Sequence, residues 1–90
     1  MLMDVKIEQL SDSEIESRGI RSWPIWTKEV SSFDWCYDSE EECLILEGEI
    51  AVHTASDTYE VKPGDFVTFR QGLSCRWEVK SPVRKHYNFK

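Results

Sequence analysis

Residues 63–77 read Pro-Gly-Asp-Phe-Val-Thr-Phe-Arg-Gln-Gly-Leu-Ser-Cys-Arg-Trp. Pro63-Gly64-Asp65 is a tight-turn signal, because proline presets one turn dihedral and glycine accepts the positive φ that follows. Phe66 to Phe69 is a short strand, and Gln71-Gly72 is a second turn. Cys75, Trp77 and Val79 then share one face of the next strand, with Arg76, Glu78 and Lys80 on the other. Turn, strand, turn and strand in so short a stretch predict antiparallel hairpins rather than helices.

The same signals continue upstream. Thr58 to Lys62 is a strand, Ala55-Ser56-Asp57 a hairpin loop, and Cys43 to Thr54 a long strand with a bulge expected at Gly48. The acidic run Asp38 to Glu42 reads as a turn. Before it, Phe33, Trp35 and Tyr37 alternate with Asp34, Cys36 and Asp38, which puts three aromatics on one strand face. Trp23, Ile25 and Val30 mark earlier extended pieces, with Pro24 at an edge. Ser11-Asp12-Ser13-Glu14 is a capping box, so a short helix is predicted to run to about Arg18 and stop at Gly19. Downstream, Pro82 is predicted to end the strand that carries Trp77, and Val83 to Phe89 form a last one. The fold class is all-β: a sandwich or small antiparallel barrel with one short N-terminal helix.

Ninety residues suit one domain, read as an extension over residues 1–22 and a barrel core from about residue 23 to residue 90. A formal charge of −6 argues against nucleic acid as a partner. No apolar run approaches the roughly 18 residues of a membrane span. The opening Met1-Leu2-Met3-Asp4-Val5-Lys6 has no signal-peptide core, and its early acids argue against a transit peptide, although one already trimmed stays open. Cys36, Cys43 and Cys75 show no CxxC spacing, which fits a reducing, cytoplasm-like compartment. Residues 1–60 hold 4 basic and 15 acidic groups, and residues 61–90 hold 7 basic and 2 acidic. Two halves lying side by side in one fold explain that split more simply than a basic tail does. Pairing of the C-terminal strand across a homodimer is the alternative.

These spacings resemble a cupin. Gly64, five residues, then Arg70-Gln71-Gly72, two residues and Cys75 match the frame of the second cupin motif. Counting back from Gly48 puts Glu41 in the glutamate slot of the first motif, with Tyr37 and Trp35 in its two histidine slots. The likeness covers about residues 23–87. It is particularly similar to small cupins of the ureidoglycine aminohydrolase group, through Ser22-Trp23-Pro24-Ile25-Trp26 and Gly72-Leu73-Ser74-Cys75-Arg76-Trp77. The resemblance implies a jelly-roll barrel. It also implies a site where cupins usually hold a metal with three histidines and a glutamate. Here three of those slots are Trp35, Tyr37 and Cys75, the motif proline is Arg70, and the motif asparagine is Val79.

The chemistry expected at this site follows from those departures. No cofactor is expected, because Glu41 and Cys75 would be the only ready ligands for a divalent transition metal, with Tyr37 added only as a phenolate. His53 and His86 lie outside the ligand slots. Glu41, desolvated among aromatics, would suit general acid or base work, with Tyr37 and Cys75 as auxiliary catalytic groups. Cys75 beside a carboxylate is otherwise an inert thiol. Trp35, Tyr37, Trp77, Phe33 and Phe69, with Glu41 and Cys75, would line a reduced pocket for a small molecule. Three functions follow: a binding or regulatory cupin for a small ligand or protein partner, a metal-dependent enzyme of the ureidoglycine aminohydrolase kind or another small-molecule lyase, hydrolase or isomerase, or a purely structural subunit.

Overall fold

The computed structural model describes residues 4–90. Met1 to Met3, part of the N-terminal stretch read for targeting signals, lie outside the described residues. Seven strands form one antiparallel sheet: β1 (Val5–Gln9), β2 (Ile25–Lys28), β3 (Ser31–Cys36), β4 (Glu41–His53), β5 (Thr58–Val61), β6 (Asp65–Phe69) and β7 (Ser74–Phe89). The order is β1-β6-β4-β7-β2, with β3 also on β7 and β5 also on β4. Long β4 and β7 are the spine, and the short strands pair along their ends. No helix among the described residues is long and apolar enough to cross a membrane.

The sheet rolls around an interior formed by residues such as Val5, Ile45, Ile50, Val52, Val67 and Phe69, all essentially inaccessible. A second, smaller cluster lies on the outer side. There Ile15 of α1 (Asp12–Ser17) and Ile20 cover Leu44 and Phe66. The capping box forms as the sequence predicts: the Glu14 backbone N–H donates to Ser11 Oγ, and the Ser11 N–H donates to Glu14 Oε1. Gly19 stops the helix at φ 67°.

Two features depart from the sequence reading. The chain before α1 contributes a strand, β1, paired in register with β6 from Val5↔Phe69 to Gln9↔Asp65. And Pro82 does not end β7, which runs on to Phe89. Pro82 can stay inside the strand because no partner needs its missing N–H. β3 pairs with Ser74 to Val79 and β2 with Val83 to His86, so the proline falls between the two on that side. On the other side it faces the β4 bulges, where Glu47 pairs with Arg84 and Glu49 with Ser81. Gly48 sits in that bulge at φ 101°, where a Cβ would come 2.6 Å from the Pro82 carbonyl oxygen. The bulge also changes the phase of β4: Glu41, Cys43 and Ile45 face inward before it, Ile50 and Val52 after it.

The charge split resolves as two sides of one fold. Arg70 pairs with Asp4, Arg76 with Asp34, Lys80 with Glu60, Lys85 with Glu41, and Lys90 with Glu40 and Glu42.

Candidate functional site

One end of the rolled sheet opens into a cavity of about 200 Å³. Of the chain's four Trp, three Tyr and four Phe, seven line it: Trp26, Phe33, Trp35, Tyr37, Trp77, Tyr87 and Phe89. The remaining lining residues are Glu41 and Lys85.

Register explains the convergence. Phe33 and Trp35 project from β3 against Trp77 and Cys75 of β7. Tyr37, just past β3, is pinned by its backbone: its N–H donates to the Leu73 carbonyl at 2.9 Å, and its carbonyl accepts from the Gly72 N–H at 2.7 Å. Its hydroxyl accepts from Trp77 Nε1 at 3.2 Å. Its ring stacks on Phe69 with centroids 4.8 Å apart. Trp77 in turn stacks on Phe33 and meets Trp26 edge-on. Such contacts hold the aromatic wall in fixed rotamers.

The polar groups sit at the base of this wall. Lys85, on β7, lies in register with Ile45 of β4 and Trp26 of β2. Its long stem reaches back along β4 past Cys43, and Nζ donates to Glu41 Oε2 at 2.7 Å. The side chains of Lys85 and Glu41 are only 6% and 4% exposed. The ammonium also lies 4.8 Å from the Trp26 ring centroid and 4.7 Å from that of Trp77. The pair thus replaces hydration with one short charge-assisted bond and two indole faces.

The residues singled out from sequence divide. Phe33, Tyr37, Glu41 and Trp77 meet at the cavity. Trp35 lines it too, but from the mouth: it is 49% exposed, not interior as its slot implied, because β3 is an edge at that end. Phe69 backs Tyr37 from the core without reaching the cavity. Cys75 is buried but does not line it, and instead borders a shallow depression with Asp34, Trp35, Cys36 and Ser74. Burial pushes the Cys75 thiol up to about 11 and the Cys43 thiol up to about 12. Burial, reinforced by Glu41, likewise drives the Tyr37 hydroxyl well above the usual phenol range. All three groups hold their protons at neutral pH. His53 and His86 are occupied elsewhere, His53 with Thr58 and Glu78, and His86 Nδ1 with the Trp23 carbonyl.

This donor set does not fit the metal that cupins commonly hold. The carboxylate kept in the glutamate slot is already engaged by an ammonium, Tyr37 is a neutral hydroxyl, and Cys75 faces away. Among the described residues no three His, Cys, Asp or Glu side chains converge. The group that sequence reasoning missed is Lys85, together with its neighbours Trp26, Tyr87 and Phe89. A signal was present: Val83, Lys85, Tyr87 and Phe89 alternate on one strand face, so a lysine stands on the apolar side.

The model of the EutQ-like cupin domain matches residues 15–87. A DUF861 family protein from Thermotoga maritima is 50% identical, with 96% of this chain and 99% of that one covered and a TM-score of 0.93. A DUF861 family protein of unknown function from Pseudomonas syringae is 25% identical over 70% of this chain and 28% of that one, with a TM-score of 0.65. The Clostridium difficile EutQ protein, 16% identical over 70% of this chain and 50% of that one, shares the fold at a TM-score of 0.65. No curated protein matches.

Proposed function

The chain belongs to the EutQ-like cupin family, and from that premise we propose that its jelly-roll barrel binds a small, partly planar molecule in the aromatic cavity. Glu41 and Lys85 make the polar contacts. One observation carries the reading: a single buried ion pair stands at the base of a cavity whose other lining residues are all aromatic. Aromatic walls with few placed polar groups are the common build of a small-molecule site. Lys85 supplies the positive charge that a metal supplies in other cupins. A metal-dependent enzyme of the ureidoglycine aminohydrolase kind would need Glu41 free and further ligands beside it, and the donor set opposes that.

A fragment and metabolite panel tests the proposal, read by thermal shift and tryptophan fluorescence on protein purified without chelator. Saturable binding that weakens in Trp35→Ala supports it. Stoichiometric Mn, Fe, Ni or Zn by elemental analysis, lost in Glu41→Ala, would replace it with the enzyme reading. Trp35 is the better probe than Trp77, whose indole is also core.

A further inference from the structure

Glu41 and Lys85 do not exhaust each other. Glu41 Oε2 accepts from Lys85, while Oε1 has no hydrogen-bond partner among the described residues. No fully buried side-chain oxygen or nitrogen is left without a partner there, so Oε1 is an oxygen that meets the cavity. Lys85 Nζ has three donors and one hydrogen-bond acceptor among the described residues, and Lys85 lines the cavity with its ammonium beside the Trp26 and Trp77 rings. The cavity base therefore shows one acceptor and one donor side by side, with charges that cancel.

We propose that the cavity takes a small planar ligand with a neutral head that carries an adjacent hydrogen-bond acceptor and donor, of the carboxamide class. This rests on the reading of the cavity as a small-molecule site. The ligand carbonyl accepts from Lys85 Nζ, its N–H donates to Glu41 Oε1, and its ring lies against the walls formed by Phe33 and Trp77. A carboxylate head would gain Lys85 but face the Glu41 oxygen at close range in a poorly solvated site. An amidinium head would gain Glu41 and face the Lys85 ammonium. A head without polar atoms would displace water from both groups and return no hydrogen bond. The carboxamide is the head for which every contact is complementary.

The test compares heads on one ring. Benzamide, benzoate, benzamidine and toluene are titrated into the whole chain and followed by 15N-edited NMR of the backbone and indole N–H groups. Benzamide is expected to shift the Trp26, Trp35 and Trp77 indole signals saturably. The other three are expected to bind at least about tenfold more weakly, the equivalent of one lost complementary contact. Glu41→Gln should remove the preference for benzamide. If that variant does not fold, N,N-dimethylbenzamide on the unaltered chain, which lacks the N–H donor, gives the same answer by binding about tenfold more weakly than benzamide. Tighter binding of benzoate or benzamidine overturns the head assignment and leaves the cavity reading standing. Equal binding of toluene shows the pair unengaged and also overturns only the assignment. Absence of binding by all four overturns the assignment, and the wider panel then decides the cavity reading on its own.

Discussion

Two carboxylates are buried in this small barrel, and they are treated differently. Asp65, in the Pro63-Gly64-Asp65 turn, has both oxygens satisfied: Gln9 Nε2 donates to Oδ1 at 2.6 Å and the Lys62 backbone N–H to Oδ2 at 3.0 Å. Its partners tie β1 to the start of β6, so it is a fastener. Glu41 has one oxygen on an ammonium and the other on a cavity. A fully bonded carboxylate has nothing left to offer, whereas a half-bonded one beside an aromatic wall has an acceptor to spare. Burial alone would not have told the two apart, because both are almost inaccessible.

Substitution separates the two carboxylates. The largest effect is expected from Lys85→Met, which leaves the Glu41 carboxylate buried and alone. It should cost about 3–5 kcal/mol, read from the urea midpoint. Asp65→Ala should cost about 2–3 kcal/mol by the same measurement, since two bonds to a charged acceptor vanish together. Ligand binding in that variant should be unchanged while the protein stays folded, because Asp65 is remote from the cavity lining.

Alkaline pH separates the two sites without mutation. Tyr37, Cys43 and Cys75 are buried groups whose protons the fold retains, chiefly because burial disfavours their charged forms and to a lesser degree because the Glu41 carboxylate opposes ionisation. A group whose folded pKa is raised gives stability that is full below its unfolded value and is lost as pH rises toward the folded one. Cys43 starts from an ordinary value of 9.0 and rises to about 12. Above 9.0 its share should fall steadily as the pH climbs toward the raised value. Urea midpoints should therefore hold up to about pH 8.5 and decline beyond it. Cys43→Ala should flatten the decline. The smallest stability effect is expected for Trp35→Ala, below about 1 kcal/mol, because half of that side chain is in water. It should nonetheless weaken ligand binding measurably.

Much of this was legible in the chain. The spacing from Gly48 back to Glu41 located the retained carboxylate, and the alternation of Phe33, Trp35 and Tyr37 located one cavity wall. Capping chemistry placed α1 and its stop. What stayed hidden has physical causes. β1 carries too few residues, and too mixed a pattern, to announce a strand, and its pairing with β6 is a contact between distant parts of the chain. Pro82 suggested a break because the rule that proline leaves a sheet assumes a partner on each side, which this position lacks. Lys85 already fell on the apolar face of the expected Val83–Phe89 strand, but a lone lysine there reads as solvated unless its partner Glu41, 44 residues away in sequence, is known to meet it. Trp35 follows the alternation but sits where the barrel opens, and a period-two pattern carries no information on how far a strand is covered.

On the proposed function, the Glu41–Lys85 pair serves a ligand and the Asp65 cluster serves the fold. The most direct test is the urea midpoint of the double variant Glu41→Leu/Lys85→Met beside the unaltered chain. Replacing a whole buried pair by apolar groups of similar size is often neutral or stabilising, whereas breaking half of it is not. The midpoint is expected to equal or exceed that of the unaltered chain. A midpoint as low as that of Lys85→Met alone would contradict that assignment, and would make the pair a fastener like Asp65.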